Sequence, residues 1–301
     1  MTARGPLLIA DVPWLLYRSF FALPKSITDA DGHPVNALLG TVNALLSAID
    51  TRPDDDRVRA VAACMGAEQA DYRVQLYPPY HAHRDPMPPE LARQWKLAPA
   101  LLASLGWVGA TSDTLEADDV MFSLARAEEA AGGRALLISG DRDLYGAVSE
   151  SVAVLELGKG GRTAELGPSE VVERYGVEPG LVADFIALRG DPSDGLPGAP
   201  GVGAKTAAQL LRRHGSLEQV LDAAHALATK VRRDAGEMSP RTAQTLREHD
   251  AQLRDFKQIA TLQRIDVDVP GDRATDFAAG AAAARELGMK RLAERLTKLT
   301  A

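Results

Sequence analysis

Short apolar runs alternate with longer amphipathic segments over the first half of the chain. Four runs have the length and continuous apolar character of buried strands: residues 7–10, 59–65, 134–139 and 152–157. Three segments between them carry one apolar helical face: residues 37–49, 91–105 and 117–131, the last with Thr114 as its expected N-cap. This alternation predicts an α/β fold with a wound, mainly parallel sheet.

The pattern changes after about residue 165, where strand-like runs give way to helical ones. Segments 168–175, 179–188, 205–213 and 217–228 are predicted helices separated by Gly and Pro. The tail 278–299, rich in Ala and Arg, is predicted to pack back as helix. We therefore expect two domains, an α/β core over residues 1–165 and a helical subdomain over residues 166–301.

One segment of the α/β core fits neither a strand nor a long helix. Residues 77–89 contain five prolines in thirteen positions, so we expect a long exposed loop, extending to about residue 95. Loops of this length in compact domains are commonly functional or disordered. This one carries aromatic and basic side chains.

Four short acidic motifs follow strand-like runs or open helices. They contribute eight carboxylates: Asp11, Glu116, Asp118, Asp119, Asp141, Asp143, Asp191 and Asp194. Taken singly, Glu116 and Asp118 could favour a helix N-terminus, and Asp141 and Asp143 could shape a turn. A covalent nucleophile at Asp141 fits less well, because every partner is another acid.

The four motifs acquire a common meaning if the sheet is parallel. Loops at the carboxyl ends of parallel strands meet in one crevice, so these carboxylates are expected to become neighbours. Their repulsion would be relieved by hard divalent cations bound through oxygen. The pattern therefore predicts a Mg²⁺ or Mn²⁺ site.

Composition and charge narrow the function classes. The chain has 301 residues, 46% of them hydrophobic, and a net charge of −7 that is unevenly spread. Residues 1–200 hold 17 Lys and Arg against 28 Asp and Glu, a net −11, whereas residues 201–301 hold 17 against 13, a net +4. A nucleic-acid partner is thus compatible with the last third of the chain, although the whole chain is acidic.

The composition argues against several kinds of site and location. The single cysteine, Cys64, excludes an intrachain disulfide and a Cys-based zinc site. The apolar run near the N-terminus is too short to cross a bilayer or to be a convincing signal peptide. We expect a cytoplasmic protein that makes no membrane contact, with a monomer as the default state.

A Gly-rich segment at 198–207 precedes a predicted helix. It resembles a nucleotide-binding P-loop only superficially, because Ala204 stands where Lys is required and no strand precedes it, so no nucleotide cofactor is expected. The turn can instead offer backbone amides and Lys205 to a DNA backbone phosphate. A plain helix-turn-helix corner remains the alternative. The expected contacts are Gly201, Val202, Gly203, Lys205 and Thr206.

Four further side chains are candidates for handling the substrate. Arg18, His81 and Arg84 could neutralise a phosphodiester beside the acidic crevice, and Tyr80 could stack an unpaired base. Ordinary surface charge, or local packing for Tyr80, is the competing explanation for each.

Together the motifs resemble the 5′ nucleases of the flap endonuclease type, especially the bacterial 5′-to-3′ exonucleases related to the N-terminal part of DNA polymerase I. The matching segments are DV at 11–12 with YRSF at 17–20, EADDV at 116–120, SGDRDLY at 139–145, and GDPSDGLPG at 190–198 continuing into GVGAKTA at 201–207. Their order and spacing cover nearly the whole chain, and a free-standing member of the family is expected.

The resemblance implies a PIN-like core with a helix-three-turn-helix DNA-binding element at about residues 185–215. It implies a first metal held by Asp11, Glu116 and Asp118 and a second by Asp118, Asp141, Asp143 and Asp194, with Asp119 and Asp191 in support. It also implies that the Gly201–Thr206 turn holds the duplex and often a K⁺ ion, and that the Pro-rich loop is a gateway over the active site.

Two positions depart from the family pattern. Gly66 stands where an Asp is usual at the end of the second strand, and His81 replaces the usual gateway Lys, although Arg84 is kept. We expect weaker binding of the first metal, for which Glu68 or Asp71 could compensate.

The resulting expectation is hydrolysis of DNA phosphodiesters at 5′ ends and flaps by two-metal-ion catalysis, in replication and repair. The departures leave open a structure-specific DNA-binding protein with little catalysis. A PIN-type ribonuclease also fits the acidic core but leaves the helical subdomain without a role.

Overall fold

A six-stranded sheet forms the centre of the molecule in a computed structural model that describes residues 4–53, 56–158, 163–228 and 238–300. Its strands are β1 (Leu7–Asp11), β2 (Ala60–Met65), β3 (Val108–Thr111), β4 (Ala135–Ile138), β5 (Val152–Leu157) and β6 (Thr163–Leu166). The order is β3-β2-β1-β4-β5-β6, and only β6 runs antiparallel to its neighbour. The predicted wound, mainly parallel sheet is confirmed.

Helices cover both faces of this sheet. In chain order they are α1 (Val12–Ala22), α2 (Asn36–Asp50), α3 (Asp71–Leu76), α4 (Pro89–Ser104), α5 (Ala117–Ala130), α6 (Pro168–Tyr175), α7 (Val182–Arg189), α8 (Ala204–His214), α9 (Leu217–Ala226), α10 (Pro240–Glu248), α11 (Asp250–Ala260), α12 (Phe277–Glu286) and α13 (Lys290–Leu299). No helix within the described ranges has the length and apolar character needed to cross a membrane.

The sheet lies between two layers of helices. Strand β1 contributes to the packing on both sides, because its alternate side chains point to opposite faces of the sheet. Leu7 and Ile9 belong to one buried cluster, with α5 and the helices α6 to α11. Leu8 and Ala10 belong to the other, with α1, α2, α4, α12 and α13. All four are fully buried, which accounts for the uninterrupted apolar run in the sequence.

The sheet topology also locates the candidate site. Strand β1 pairs with β2 on one side and with β4 on the other. The chain therefore leaves the carboxyl ends of β1 and β4 in opposite directions, from β1 towards β2 and from β4 towards β5. Such a switch point opens a crevice at the carboxyl ends of the strands. Asp11 is the last residue of β1, and Asp141 follows shortly after β4.

Several details of the secondary-structure prediction were wrong. Strand β3 is short, contains Gly and has alternately half-buried and exposed residues, so it lacks an apolar run, and β6 is largely exposed. Helix α1 was not predicted either. Helix α5 is capped at Glu116 rather than Thr114, whose backbone N–H is 3.3 Å from the Ser112 Oγ.

The helical second half is confirmed, but it does not have a separate core. The two helices expected around the Gly-rich segment are α7 and α8, and the tail forms α12 and α13 with a break at Gly288. One buried cluster includes strand residues such as Ile9 together with Phe185 and Phe256 of the helical half. The division at residue 165 falls within β6 and stays a prediction.

Candidate metal centre

Asp11 joins the ends of β1 and β4. Its Oδ1 accepts a hydrogen bond of 2.9 Å from the backbone N–H of Trp14 and so caps α1. Its Oδ2 accepts one of 2.6 Å from the Ser139 hydroxyl, just beyond β4. The carboxylate is 4% exposed. Helix capping and site formation are therefore both functions of this side chain.

The Asp141–Asp143 loop is built on the same serine. The backbone N–H of Asp141 donates to Ser139 Oγ at 3.0 Å, and the N–H of Asp143 donates to Asp141 Oδ1 at 2.9 Å. Asp143 then begins a 3₁₀ turn, Asp143–Ala147. Its Oδ1 is buried and has no hydrogen-bond partner, an unusual state for a carboxylate oxygen and one that a bound cation would relieve.

The two buried acids around the start of α5 are already paired with a cation. Glu116 accepts from the backbone N–H of Ala70 at 2.9 Å and lies 2.9 Å from Arg73 Nη1. Asp119 is fully buried and lies 2.9 Å from Arg73 Nη2, with a further bond of 2.7 Å from the N–H of Gln263. These two side chains are thus less available to a metal than the others.

Asp191 and Asp194 lie between α7 and α8. Asp191 accepts from the backbone N–H of Ser193 at 2.8 Å and forms an isolated β-bridge with Leu196. Asp194 Oδ1 lies 3.0 Å from His81 Nε2 and 3.1 Å from Arg84 Nη2. Both aspartates are about 5% exposed.

Electrostatics show that these acids form one cluster. Burial raises the pKa of Asp11 to about 6 and that of Asp141 to about 7, and it raises the pKa values of Asp118 and Asp143 well above their usual range. Repulsion from neighbouring carboxylates adds to the rise for Asp118, Asp141 and Asp143. For Asp118 these neighbours are Asp141, Asp11 and Glu116, and for Asp143 they are Asp141, Asp194 and Asp191.

Such a donor set fits hard divalent cations. All the groups are carboxylates, their ionised forms are disfavoured by mutual repulsion, and one buried oxygen of Asp143 has no partner. Asp11, Asp118, Asp141, Asp143 and Asp194 are the side chains best placed to hold cations, whereas Glu116 and Asp119 are engaged by Arg73.

A tighter acidic group lies elsewhere. Within the described parts of the chain, Asp29, Asp31 and His33 are the one set of three potential ligands with atoms within 4.8 Å of one another. Asp29 already accepts from the backbone N–H groups of Asp31 and His33 and pairs with Arg93 at 2.6 Å. This group is explained as the internal bonding of the loop between α1 and α2.

Gly66 is closed to any side chain. A Cβ at this position would lie 2.5 Å from the carbonyl oxygen of Leu115 and 2.6 Å from the backbone nitrogen of Ala117. The N–H of Ala67 bonds the same Leu115 carbonyl at 2.9 Å. An Asp therefore cannot simply be restored at residue 66, although the family pattern has one there. Neither expected substitute is buried in the cluster: Glu68 and Asp71 are both exposed.

The Pro-rich segment is less exposed than predicted. Tyr80 is 4% and His81 6% exposed, and their rings stack with centroids 3.8 Å apart. The Tyr80 hydroxyl donates to Glu116 at 3.1 Å. Because the ring faces are covered, the expected stacking of Tyr80 on a substrate base is wrong for this conformation; the side chain instead holds Glu116.

The two predicted phosphate-binding arginines differ in their surroundings. Arg84 is 48% exposed at its side chain while contacting Asp194. Arg18 is exposed and lies with its guanidinium carbon 5.7 Å from the Trp14 ring centroid. His81, the third predicted phosphate-binding residue, has a φ of +56°. Non-Gly residues rarely occupy this backbone region, so the value marks local strain.

The Gly-rich turn presents bare backbone at the start of α8. A Cβ at Gly201 or Gly203 would meet nothing within 4 Å, and Gly201 has a φ of +80°. Gly203 is the N-cap of α8 and offers no side chain to the first amides. Lys205 is exposed, Thr206 is half-buried and Val202 is buried in the core, so Val202 anchors the turn.

Two functional side chains were missed at the sequence level. Arg73 lies in the short helix α3, far in sequence from the acids that it binds, and Ser139 looked like part of a strand. Buried carboxylates generally need a positively charged partner, so an internal cation could have been expected. Nothing in the sequence, however, distinguishes Arg73 from the other arginines.

Comparison with known proteins agrees with this geometry. Residues 6–176 match the family model of the 5′-3′ exonuclease N-terminal resolvase-like domain, and residues 177–282 match that of the 5′-3′ exonuclease C-terminal SAM fold. A 5′-3′ exonuclease of Mycobacterium tuberculosis is 41% identical over 242 residues, covering 73% of this chain and 74% of the relative. The thermostable DNA polymerase I of Thermus thermophilus is 36% identical over 294 residues, covering 97% of this chain but 32% of the polymerase.

Solved structures agree at the level of fold. A complex of bacteriophage T5 flap endonuclease with DNA and metal ions has a TM-score of 0.63 at 17% identity, with 97% of this chain and 98% of that chain covered. The catalytic core of Rad2 in complex with DNA substrate has a TM-score of 0.62 at 11% identity, with 98% and 93% covered. Because the two adjoining family matches span the sheet and the helical half in turn, the chain belongs to the 5′-3′ exonuclease family and is a nuclease.

Proposed function

We propose that this protein is a structure-specific 5′ nuclease that hydrolyses DNA phosphodiesters with two divalent cations, Mg²⁺ or Mn²⁺. The observation that carries the proposal is the cluster of carboxylates from four distant segments. Burial raises the pKa values of Asp118 and Asp141, and repulsion adds to the rise, from Asp141 at Asp118 and from Asp194 at Asp141. These carboxylates would hold cations that could supply an activated water and charge stabilisation for the leaving oxygen of an in-line displacement.

The protein's own residues divide into three tasks. Asp11, Asp118, Asp141, Asp143 and Asp194 would hold the cations. Arg73 and Tyr80 keep Glu116 in place, and Arg73 also pairs with Asp119. Arg84, which is half-exposed beside Asp194, is placed to neutralise a phosphate oxygen that approaches the carboxylates.

The helical half supplies the duplex contact. The exposed backbone of Gly201 and Gly203, with Lys205 at the start of α8, offers N–H groups and a positive charge to a backbone phosphate. Main-chain carbonyls of the same turn would suit K⁺, as the family resemblance implies. The likeness to structures that contain DNA supports 5′ ends and flaps of DNA as the substrate class. We further propose a monomer acting in the cytoplasm.

Changing Asp141 to Asn tests the proposal most directly. Asn keeps an oxygen that can accept the Asp143 N–H but removes a metal-binding charge, so cleavage of an end-labelled 5′-flap DNA should fall by at least about 100-fold, whereas DNA affinity should change less than about 3-fold. Product mapping across a Mg²⁺ and Mn²⁺ series measures the first quantity, and fluorescence anisotropy without metal measures the second.

Asp222→Asn, which changes an exposed carboxylate on α9, is the matched control and should cleave normally. Undiminished cleavage by Asp141→Asn would remove that carboxylate from the reaction. Wild-type protein that shifts flap DNA but yields no product with either metal would favour a pure DNA-binding role. Preferential cleavage of a matched RNA flap would favour a ribonuclease.

A further inference from the structure

His81 contacts the Asp191–Asp194 loop through both its backbone and its side chain. The His81 backbone N–H donates to the Asp194 carbonyl oxygen at 3.1 Å, and its ring Nε2 lies 3.0 Å from Asp194 Oδ1. A Cβ at Gly195 would lie 3.1 Å from the Pro79 carbonyl oxygen, so the two loops are also close at the next residue. His81 is therefore fixed against one carboxylate of the acidic cluster.

The ring of His81 is held in place by Tyr80. The two rings stack with centroids 3.8 Å apart and planes inclined by 23°, and both residues are buried. The Tyr80 hydroxyl lies 3.1 Å from Glu116 Oε2, which fixes the Tyr80 ring in turn. The stacked pair thus extends from Glu116 to Asp194, two acids that are far apart in sequence.

The hydrogen bonds to Asp194 reach one of its two oxygens. Oδ1 accepts from His81 and, at 3.1 Å, from Arg84 Nη2, whereas no hydrogen bond among the described residues reaches Oδ2. Besides burial, the charge of Asp194 raises the pKa values of Asp141 and Asp143, which indicates that this carboxylate faces the cluster. A carboxylate held at one oxygen presents the other to a cation in a fixed direction.

The two basic side chains at Asp194 differ in exposure. The His81 side chain is 4% exposed, whereas that of Arg84 is 48% exposed. Arg84 can therefore turn towards a substrate phosphate while it stays in solvent. His81 could reach a phosphate only by leaving its stack on Tyr80 and its bond to Asp194.

We infer that His81 is a positioning residue that holds Asp194 with its Oδ2 towards a divalent cation, and that it does not bind the substrate phosphate. Because an ionised carboxylate only accepts hydrogen bonds, Nε2 of His81 carries the hydrogen, and Nδ1 has no partner among the described residues. The assignment differs from the phosphate-binding role that the sequence predicts for His81. It rests on the proposed binding of divalent cations by this nuclease.

Two substitutions separate the hydrogen bond from the ring. His81→Phe keeps a ring that can stack on Tyr80 but has no N–H for Asp194, and His81→Gln keeps an N–H donor but loses the ring. Binding of Mn²⁺ without DNA is measured by isothermal titration calorimetry. His81→Phe should weaken one cation site by about 10- to 100-fold, as expected when a metal ligand loses its outer hydrogen bond, and His81→Gln should weaken it clearly less.

Further variants control for folding and for changes elsewhere in the loop. His83→Ala, which changes an exposed histidine of the same loop, should leave Mn²⁺ affinity unchanged. His81→Asn suits the φ of +56°, which Asn tolerates well, but its amide is too short to replace Nε2. It should lose Mn²⁺ affinity as His81→Phe does, and so provides the same test if His81→Phe does not fold.

Cleavage of 5′-flap DNA at increasing Mn²⁺ distinguishes positioning from phosphate binding. The loss of cleavage in His81→Phe should disappear at saturating Mn²⁺, and its DNA affinity without metal should match that of wild type. Arg84→Ala should show the opposite pattern, with cleavage that stays low at saturating Mn²⁺.

Wild-type Mn²⁺ affinity in His81→Phe, an equal loss in His81→Gln, or a cleavage defect in His81→Phe that persists at saturating Mn²⁺ would each overturn the inference and leave the nuclease proposal intact. Wild-type protein that binds Mn²⁺ but cleaves no flap DNA would overturn the nuclease proposal alone. Wild-type protein that binds no Mn²⁺ would overturn both.

Discussion

At the scale of single residues, the acidic centre depends on one internal cation. Arg73 is buried, and although burial lowers its pKa, the charges of Glu116 and Asp119 outweigh that effect and raise it. Its Nε also donates to the Ile259 carbonyl at 3.0 Å, which ties α3 to α11. The guanidinium therefore neutralises two acids permanently and leaves the remaining carboxylates to exogenous cations.

Gly66 gives a residue-scale prediction about stability. Gly66→Ala adds only a Cβ, but that atom would overlap the backbone of Leu115 and Ala117, so we expect a loss of about 1–3 kcal/mol in the free energy of unfolding. Urea denaturation followed by circular dichroism measures it.

Gly109→Ala in β3 is the control, since a Cβ there meets nothing within 4 Å. Equal denaturation midpoints for Gly66→Ala and wild type would show that the Leu115–Ala117 segment moves aside easily. The position would then be open to an Asp after all.

At the scale of elements, the sequence predicted best where one physical signal dominated. The apolar runs of β1, β2, β4 and β5 announce strands buried on both faces, and Pro168–Tyr175 was predicted with its observed bounds because a Pro opens it and a Gly ends it. Strand β3 exists because β2 offers it a partner, which no local pattern records. For the same reason the acids were identifiable from sequence but Arg73 was not.

Asp184 gives a prediction at this scale, because it connects three helices. This buried residue of α7 accepts the N–H of Leu217 in α9 at 2.6 Å and lies 3.0 Å from the Lys257 Nζ of α11. Asp184→Ala leaves the Leu217 N–H without an acceptor and leaves Lys257 with Glu218 as its remaining partner, so it should lower the free energy of unfolding by about 2–3 kcal/mol.

Chemical denaturation compares this variant with two others. Asp184→Asn keeps an acceptor for the Leu217 N–H and should lose clearly less, and Asp222→Ala, exposed on the neighbouring helix, should stay within about 0.5 kcal/mol of wild type. Indistinguishable losses for Asp184→Ala and Asp222→Ala would show that the connection contributes nothing.

At the scale of the whole molecule, acidic and basic residues are concentrated in different parts of the chain. The first 200 residues carry the excess of acid and the last 101 the excess of base. The acidic part surrounds the sheet edge, and the basic part includes Lys205 at the bare turn. A substrate can therefore be attracted by one half while the other half concentrates cations.

The acidic cluster gives a whole-molecule prediction about pH. The folded protein retains protons on Asp11 up to about pH 6 and on Asp141 up to about pH 7, where the unfolded chain has lost them. Raising the pH through this window therefore destabilises the metal-free fold. The Tm of metal-free Asp141→Asn minus that of metal-free wild type should therefore be larger at about pH 8 than at about pH 5.

Mn²⁺ should reverse the effect of pH on the stability of the wild-type protein. Because cations bind the ionised carboxylates, Mn²⁺ should raise the wild-type Tm more at about pH 8 than at about pH 5, and should raise that of Asp141→Asn less. Thermal unfolding of both proteins at both pH values, with EDTA and with Mn²⁺, provides the eight Tm values. A Tm difference between the two proteins that is independent of both pH and metal would contradict the raised pKa of Asp141.

The two hydrogen bonds that the Asp11 carboxylate accepts affect the choice of variant for crystallising an uncut enzyme–DNA complex. Replacing Asp11 would also disturb the cap of α1 and the tie to Ser139, so an inactive variant made there would be a poor mimic of the working enzyme. Asp141 accepts a single backbone N–H in this cluster, which an amide oxygen can still accept. For a dead enzyme that keeps its native shape, Asp141 is the better position to change.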